Sequence, residues 1–155
     1  MRYLIVVDMQ NDFVTGSLGS KMAEMIVPAV CEKIRRYKAQ GSTVFMTLDT
    51  HFKDYLETPE GKKLPVEHCI KGTEGWQPET QVAEAIGGSA EVYEKSTFGS
   101  AELAQHLAEI TKAGDEIELC GLCTDICVVS NALLIKAFCP ECEVIVDANA
   151  CAGVT

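Results

Sequence analysis

Five side chains suited to chemistry each follow a short apolar run with the character of a β-strand. In chain order they are Asp8, the pair Asp49 and His51, Lys95 and Cys127. In an open parallel sheet, ligands bind beyond the carboxyl ends of the strands, at one edge of the sheet. The sequence therefore predicts that an acid, a carboxylate–imidazole pair, a cation and a thiol share one edge.

The strongest candidate nucleophile is Cys127, in the segment GLCTDICVVS. Thr124 and Asp125 are good N-cap residues, which would place Cys127 in the first turn of a helix. The positive end of that helix would stabilise a thiolate, and its N–H groups could hold an oxyanion. A thiol needs a base, for which Asp8 is the candidate, and Lys95 could stabilise the charges. An inert thiol buried in the core is the alternative and stays open.

A second candidate site is the D-x-H pair formed by Asp49 and His51. Residues i and i+2 of an extended segment point to the same side, so both could face one ion. His68 follows after a loop, whereas His106 lies within a predicted helix and is expected to be an ordinary residue. Carboxylate and imidazole ligands suit zinc, iron or manganese. The alternative is that His51 and His68 are plain loop residues.

The elements that would position these groups alternate along the chain. The predicted strands are Tyr3–Val7, Thr43–Leu48, Ala90–Tyr93, Ile117–Cys120 and Val144–Val146. The predicted helices are Ala23–Gln40, Glu102–Ala113 and Asp125–Phe138, the last ended by Pro140. Strands that are apolar on both faces and separated by helices predict a mainly parallel sheet covered on both sides. We therefore expect one α/β domain over residues 1–155 with three layers, α/β/α.

Composition excludes several classes of protein. The 155 residues include 13 Lys and Arg against 23 Asp and Glu, a net charge of −10, which opposes binding to nucleic acid. No apolar run reaches the ~18–20 residues of a membrane span, and the apolar N-terminal stretch is too short for a signal peptide. We therefore expect a cytoplasmic protein without a membrane partner. Its eight cysteines are then expected to be thiols, metal ligands or a nucleophile.

One rival pattern uses four of these cysteines. Cys120-x2-Cys123 and Cys139-x2-Cys142 are separated by fifteen residues, the spacing of a structural zinc site. The intervening segment, however, reads as a helix roughly 20 Å long, with one pair at each end. Four sulfurs that each lie ~2.3 Å from one zinc cannot span that length. A non-catalytic zinc-binding protein remains the alternative if the helix is absent.

Five segments together resemble a known family. They are YLIVVDMQNDFV, LDTH, HCIKGTEGW, YEKSTFGS and CGLCTDICVVSNAL. Their types and order resemble the isochorismatase-like cysteine hydrolases, over essentially the whole chain. Within that family the D-x-H pair with a further histidine is most similar to the nicotinamidases, which deamidate nicotinamide to nicotinate. Isochorismatases proper lack the nucleophilic cysteine, so Cys127 favours hydrolysis of a C–N bond. Another amidase of the family, with a carbamoyl or ureido substrate, is the alternative.

The resemblance implies roles for particular residues. It implies a catalytic triad of Asp8, Lys95 and Cys127. It also implies a cis peptide bond between Leu122 and Cys123, which would bring the N–H of Cys123 beside that of Cys127 to form an oxyanion hole. The aromatic residue expected to pack on the substrate ring is Phe13.

The resemblance further implies a divalent metal, zinc above all, with manganese or iron as alternatives. Its implied ligands are Asp49, His51, His68 and, from the intervening loop, Glu60. Where nicotinamidases commonly carry a tryptophan before the last ligand, this chain has Lys63-Leu64-Pro65. Family members are usually homo-oligomers, and they continue with another helix and strand beyond the position of Thr155. We therefore expect an oligomer and a domain that lacks those two elements.

Overall fold

The computed structural model describes residues 1–154 and contains one five-stranded sheet. The strands are β1 Arg2–Val7, β2 Thr43–Asp49, β3 Glu91–Lys95, β4 Glu116–Leu122 and β5 Glu143–Ala152. Their order in the sheet is β3-β2-β1-β4-β5, and every neighbouring pair is parallel. The predicted α/β class with a parallel sheet is confirmed.

Helices connect the strands on both sides of the sheet. They are α1 Asn11–Val14, α2 Lys21–Ala39, α3 Pro59–Lys63, α4 Thr80–Ile86, α5 Ala101–Ile110 and α6 Val129–Phe138. Short 3-10 turns cover Tyr55–Glu57 and Glu74–Trp76. The predicted helix 125–138 needs correction, because Thr124–Val128 forms a wider π-helical turn and the regular helix begins at Val129.

The two faces of the sheet carry separate hydrophobic cores. On β1, Leu4 and Val6 pack into one core with α2 and α4, whereas Ile5 and Val7 pack into the other with α5 and α6. Because both faces are covered, β1 is apolar at every position from residue 3 to residue 7 instead of alternating. This two-sided burial confirms the three-layer architecture.

The positions of four cysteines in the two cores test the alternative four-cysteine zinc site. Cys120 and Cys123 belong to the first core, whereas Cys139 and Cys142 belong to the second, on the other face of the sheet. Within residues 1–154 only Asp49, His51 and His68 form a group able to hold a metal, and all eight cysteines are free thiols. The four-cysteine zinc site is therefore wrong for the structure, since the helix between the pairs keeps them apart.

The polar candidates gather at the carboxyl ends of the strands. Asp8 follows β1, Asp49 ends β2 and Lys95 ends β3, with Asp49 and Lys95 paired directly in the β2–β3 register. Cys127 lies in the turn that follows β4. The common edge expected from the sequence is present. None of the helices within residues 1–154 combines the length and apolar content that a membrane span needs.

Candidate active site

The side chains of Asp8, Lys95 and Cys127 meet at the carboxyl ends of the strands. The Nζ atom of Lys95 lies 2.7 Å from Oδ2 of Asp8 and 3.5 Å from Sγ of Cys127. The Asp8 carboxyl also lies close enough to the Cys127 thiol to raise the pKa of that thiol. All three residues are buried, and Asp8 has no exposed surface at all. The structure therefore brings a thiol, a carboxyl and an ammonium group into mutual contact.

The Asp8 carboxyl is held in place by the neighbouring strand β2. The Thr47 hydroxyl donates to Oδ1 of Asp8 at 2.7 Å, and the Asp8 N–H donates to the carbonyl oxygen of Thr47 at 3.1 Å. Asp8 has a φ of +49°, a left-handed conformation that aspartate adopts more readily than most residues. Thr47 was not predicted as a site residue, although its hydroxyl is an unusual polar group in the buried run TVFMTLD.

The charges of this group depend on burial. Burial and the neighbouring Asp8 raise the pKa of the Cys127 thiol above its ordinary value, despite the opposing charge of Lys95. Burial likewise raises the pKa of Asp8, against the lowering effect of Lys95. The pKa of Lys95 is raised because Asp8, Cys127 and Asp49 outweigh the effect of burial. The raised pKa of Cys127 favours the thiol form, which is opposite to the thiolate stabilisation expected from a helix terminus.

The turn that carries Cys127 differs from the prediction in its cap. Neither Thr124 nor Asp125 is the N-cap residue; Cys123 takes that position without a side-chain hydrogen bond. Its carbonyl oxygen accepts from the N–H groups of Ile126 and Val128 at 3.1 and 3.0 Å. The Leu122–Cys123 peptide bond is cis, as the resemblance implies.

A buried asparagine ties this turn to the loop after β3. The side-chain amide of Asn131 donates to the carbonyl oxygens of Cys127 and Phe98, at 2.8 and 3.0 Å. Its carbonyl oxygen accepts from the N–H of Ser100 at 2.9 Å. Asn131 was missed in the sequence, and its only signal there is a large polar side chain within the mainly apolar segment VVSNALLI.

A second cluster lies beside the first, and Asp49 connects them. Oδ2 of Asp49 is 3.0 Å from Nε2 of His51 and 3.3 Å from Nε2 of His68, while its Oδ1 is 3.7 Å from Nζ of Lys95. Hydrogen bonds from the two imidazoles, together with Lys95, lower the pKa of Asp49 although burial alone would raise it. The expected ligand trio is thus assembled as one anion between two imidazoles.

These donors fit a divalent metal. The ligand atoms of Asp49, His51 and His68 all lie within 4.8 Å of one another, and all three residues are buried. Nδ1 of His68 donates to the carbonyl oxygen of Val66 at 2.7 Å, which leaves Nε2 to face the cluster. Such an outer contact is typical of metal-binding histidines. His106 lies apart, near Glu91, as expected for an ordinary residue.

The fourth expected ligand, Glu60, lies at the border of this cluster. Its Oε2 is 3.5 Å from Nε2 of His51 and 3.8 Å from Nε2 of His68. Glu60 also accepts a hydrogen bond from the hydroxyl of Tyr55 at 3.1 Å. Burial and Glu60 raise the pKa of Tyr55, so the hydroxyl remains a donor. Tyr55 was not among the predicted site residues.

A cavity of about 250 Å³ joins the two clusters. Its polar lining is Asp49, Glu60, His68, Cys123 and Cys127, and its apolar lining is Phe13, Leu18, Leu64, Phe98, Ile126 and Val154. Phe13, which the resemblance implies would pack on a substrate ring, lines this cavity with its own ring 5.5 Å from that of His68. Leu64 also lines the cavity. It belongs to the segment Lys63-Leu64-Pro65, where nicotinamidases commonly carry a tryptophan. The half-buried Leu18 and Ile126 and the exposed Phe98 were missed because single apolar residues outside a regular strand or α-helix carry no periodic signal.

Comparison with known proteins identifies the family. The family model described as the isochorismatase domain matches residues 2–155. This chain belongs to the isochorismatase family. The isochorismatase-family chain is similar to a solved nicotinamidase/pyrazinamidase PncA from Bacillus subtilis, with 27% identity and a TM-score of 0.85 over 99% of this chain and 87% of that one.

Two further solved structures are similar to this isochorismatase-family chain. One is the pyrazinamidase of Pyrococcus horikoshii in complex with zinc, with 28% identity and a TM-score of 0.81 over 99% of this chain and 87% of that one. The other is N-carbamoylsarcosine amidase from Thermoplasma acidophilum, with 26% identity and a TM-score of 0.82 over 98% of this chain and 84% of that one. The family and its fold, both predicted from the sequence, are confirmed.

Proposed function

We propose that this protein is a metal-containing cysteine amidohydrolase that converts nicotinamide to nicotinate and ammonia through a thioester on Cys127. The observation that carries the proposal is a buried ammonium group, that of Lys95, in contact with both the buried Asp8 carboxyl and the Cys127 sulfur. Cys127 in turn lines the cavity. The similar solved proteins are named as a nicotinamidase/pyrazinamidase, a pyrazinamidase and an N-carbamoylsarcosine amidase, which supports hydrolysis of a C–N amide bond.

The first step is proton transfer within the triad. Asp8 takes the thiol proton of Cys127, and the resulting thiolate attacks the amide carbon. Because burial raises the pKa of Asp8, this carboxylate is a stronger base than an exposed one. Lys95 contacts both partners and stabilises whichever of them carries the negative charge.

The second step is collapse of the tetrahedral intermediate. The N–H groups of Cys123 and Cys127 are the proposed donors to its oxyanion, and one such donor typically contributes about 3 kcal/mol. Asp8 returns the proton to the leaving nitrogen, so ammonia departs and the acyl group stays on sulfur. Water then attacks the thioester while Asp8 accepts its proton, which releases the carboxylic acid and regenerates the thiol.

Asp49, His51, His68 and Glu60 are the residues that would hold the metal. When bound, a divalent ion such as zinc would act as a Lewis acid toward a ring nitrogen or a water molecule. His68 and Asp49 line the same cavity as Cys127, so they can orient a substrate whose far end reaches them. The zinc in the similar pyrazinamidase supports this choice of metal.

The cavity lining favours a neutral amide over a carbamoyl amino acid. N-Carbamoylsarcosine carries a carboxylate that a binding site must neutralise. Among the described residues that line the cavity there is no lysine or arginine, so a substrate carboxylate would have only the proposed metal as a cationic partner. Apolar walls of Phe13, Leu64 and Phe98 suit the faces of an aromatic ring instead.

Replacement of the nucleophile tests the proposal. Cys127→Ala should abolish ammonia release from nicotinamide and leave the amount of bound zinc unchanged. Cys31→Ala is the matched control, since it removes a buried thiol on α2 outside the cavity. Appreciable turnover by Cys127→Ala would exclude the covalent route. Faster ammonia release from N-carbamoylsarcosine than from nicotinamide would overturn the substrate.

The proposed partners are a small amide and further copies of the same chain. The homo-oligomer is expected from the family resemblance. Light scattering coupled to size-exclusion chromatography measures the assembly, and a monomer at micromolar concentration would contradict this expectation.

A further inference from the structure

The ring and the hydroxyl of Tyr55 both contact residues of the candidate metal site. The residue is fully buried, and its ring centroid lies 4.7 Å from that of His51 and 4.9 Å from that of His68. Its hydroxyl lies 3.1 Å from Oε2 of Glu60 and 3.0 Å from the carbonyl oxygen of Leu64. One aromatic residue thus touches both imidazoles and the carboxylate that faces them.

The short helix that carries Glu60 is built onto the backbone of Tyr55. The hydroxyl and the N–H of Thr58 both donate to the Tyr55 carbonyl oxygen, and the same hydroxyl caps α3 by accepting from the N–H of Gly61 at 3.0 Å. A Cβ at Gly61 would lie 1.9 Å from the Tyr55 carbonyl oxygen, so only glycine fits there. Tyr55 therefore fixes the position of the Glu60 backbone as well as of its carboxylate.

The Glu60 side chain has another direction available to it. It is 21% exposed, whereas the side chains of Asp49, His51 and His68 are at most 6% exposed. Glu60 lines both the 250 Å³ cavity and a second, larger cavity of about 380 Å³. Without a donor that holds it, this carboxylate is free to turn toward solvent and away from the imidazoles.

We propose that Tyr55 is a positioning residue for the metal, whose hydroxyl holds Glu60 beside His51 and His68 and thereby sets the affinity and coordination geometry. The inference rests on the metal site of the proposed function. Partners of this kind, which orient a ligand without binding the ion, typically change metal affinity by about 10–100-fold when removed.

Tyr55→Phe is the test, because it removes the hydroxyl and keeps the ring packed on both imidazoles. Its zinc affinity, measured by competition with a chromophoric chelator, should be about 10–100-fold weaker than that of the unmodified protein. The d–d absorption spectrum of the cobalt(II)-loaded protein should change as well. A matched control is Tyr37→Phe, since Tyr37 donates a buried hydrogen bond to Glu118, far from the cluster. It should alter neither the zinc affinity nor the spectrum.

A double-mutant cycle separates positioning from general loss of structure. Glu60→Ala should reproduce the loss of zinc affinity and the spectral change, and adding Tyr55→Phe to it should cause no further loss. Additive losses, or an unchanged zinc affinity of Tyr55→Phe, would overturn the inference.

The outcome for the proposed function is read separately. If the unmodified protein binds neither zinc nor cobalt, the metal site and the inference both fail. If it binds metal but releases no ammonia from nicotinamide, the substrate is wrong and the role of Tyr55 can still be confirmed by the affinity and the spectrum.

Discussion

Two regions of this protein contain a buried lysine paired with a carboxylate, and they differ in what surrounds the pair. At the sheet edge, Lys95 lies 2.7 Å from Asp8. Between α2 and the sheet, Lys33 lies 2.8 Å from Glu118. The pairing distances are nearly equal, so the distance alone does not distinguish a reactive pair from a structural one.

The pair between α2 and the sheet is surrounded by protein partners. Lys33 contacts Asp147 at 2.8 Å as well as Glu118, and Glu118 also accepts from the Tyr37 hydroxyl at 2.6 Å. Hydrogen bonds from Lys33 and Tyr37 lower the pKa of Glu118 despite the raising effect of burial. Its charge is therefore fixed, and the pair holds α2, β4 and β5 together.

The pair at the sheet edge is left incompletely compensated. Asp8 has no exposed surface, faces the negative Asp49 and keeps a raised pKa although Lys95 is adjacent. Its neighbours include a thiol in the wall of a cavity. The comparison teaches that two carboxyl groups at nearly equal distances from a lysine can have pKa values shifted in opposite directions, and the raised pKa of Asp8 suits the proposed role of a base.

The largest contrast should come from removing the carboxylate charge in each region. Asp8→Asn should lower kcat for ammonia release by about 10⁴-fold, because the thiol loses its base. Glu118→Gln should leave kcat unchanged, since Glu118 touches no reacting group. Steady-state ammonia assays on both folded variants measure the contrast. Comparable losses of kcat in the two variants would remove the distinction between the regions.

Removing Lys33 should affect stability instead of activity. Lys33→Met leaves Glu118 and Asp147 without their cation, and breaking such a buried pair costs about 3–5 kcal/mol. Denaturant unfolding measures this loss as a lower free energy of unfolding, with Lys38→Met as the control for a lysine that bonds only backbone carbonyl oxygens. The prediction is wrong if Lys33→Met unfolds at the same denaturant concentration as the unmodified protein.

The two regions should also respond to acid at different pH values. The pKa of Asp8 is raised above 3.8. As the pH falls, Asp8 therefore takes up its proton while the pH is still above 3.8, and activity should decline at that point. The pKa values of Glu118 and Asp147 are lowered, so their stabilisation is fully present above 4.5 and 3.8 and is lost only as pH falls toward the lowered values.

When the pH is lowered and all other conditions are kept constant, kcat/KM measured with excess zinc should therefore fall before the fold is lost, by up to about tenfold per pH unit. Circular dichroism over the same pH series follows the fold. If activity and the dichroic signal are lost together, the two carboxyl groups do not differ as the structure implies.

The smallest effect is expected at the exposed border of the second region. Arg2 lies 2.9 Å from Glu116 and 3.6 Å from Glu118, but its side chain is 44% exposed. Because water screens such pairs, Arg2→Ala should lower the free energy of unfolding by about 1 kcal/mol or less. A loss as large as that of Lys33→Met would show that the network extends to the surface.

The sequence was a good guide to the elements and a poorer one to their ends. β5 extends over Glu143–Ala152, far beyond the predicted Val144–Val146. The added residues, DANACA, have little strand propensity of their own. Cys151 and Ala152 pair with Gly121 and Leu122 of β4, beyond an irregularity in the register between Leu119 and Gly121. Strand propensity is local, whereas this extension depends on a neighbour.

The site shows the same division. The order of strands and helices, and the residues that follow each strand, are local properties, so Asp8, Asp49, His51, Lys95 and Cys127 could be predicted to share an edge. The contacts of Thr47 with Asp8 and of Tyr37 with Glu118 join segments that are far apart in the chain. The contact of Tyr55 with Glu60 is local, but it depends on how the loop between them folds. The sequence by itself determined which groups are available at the edge. Only the tertiary structure decided how burial and pairing shift the pKa of each group, because both are properties of the packed chain.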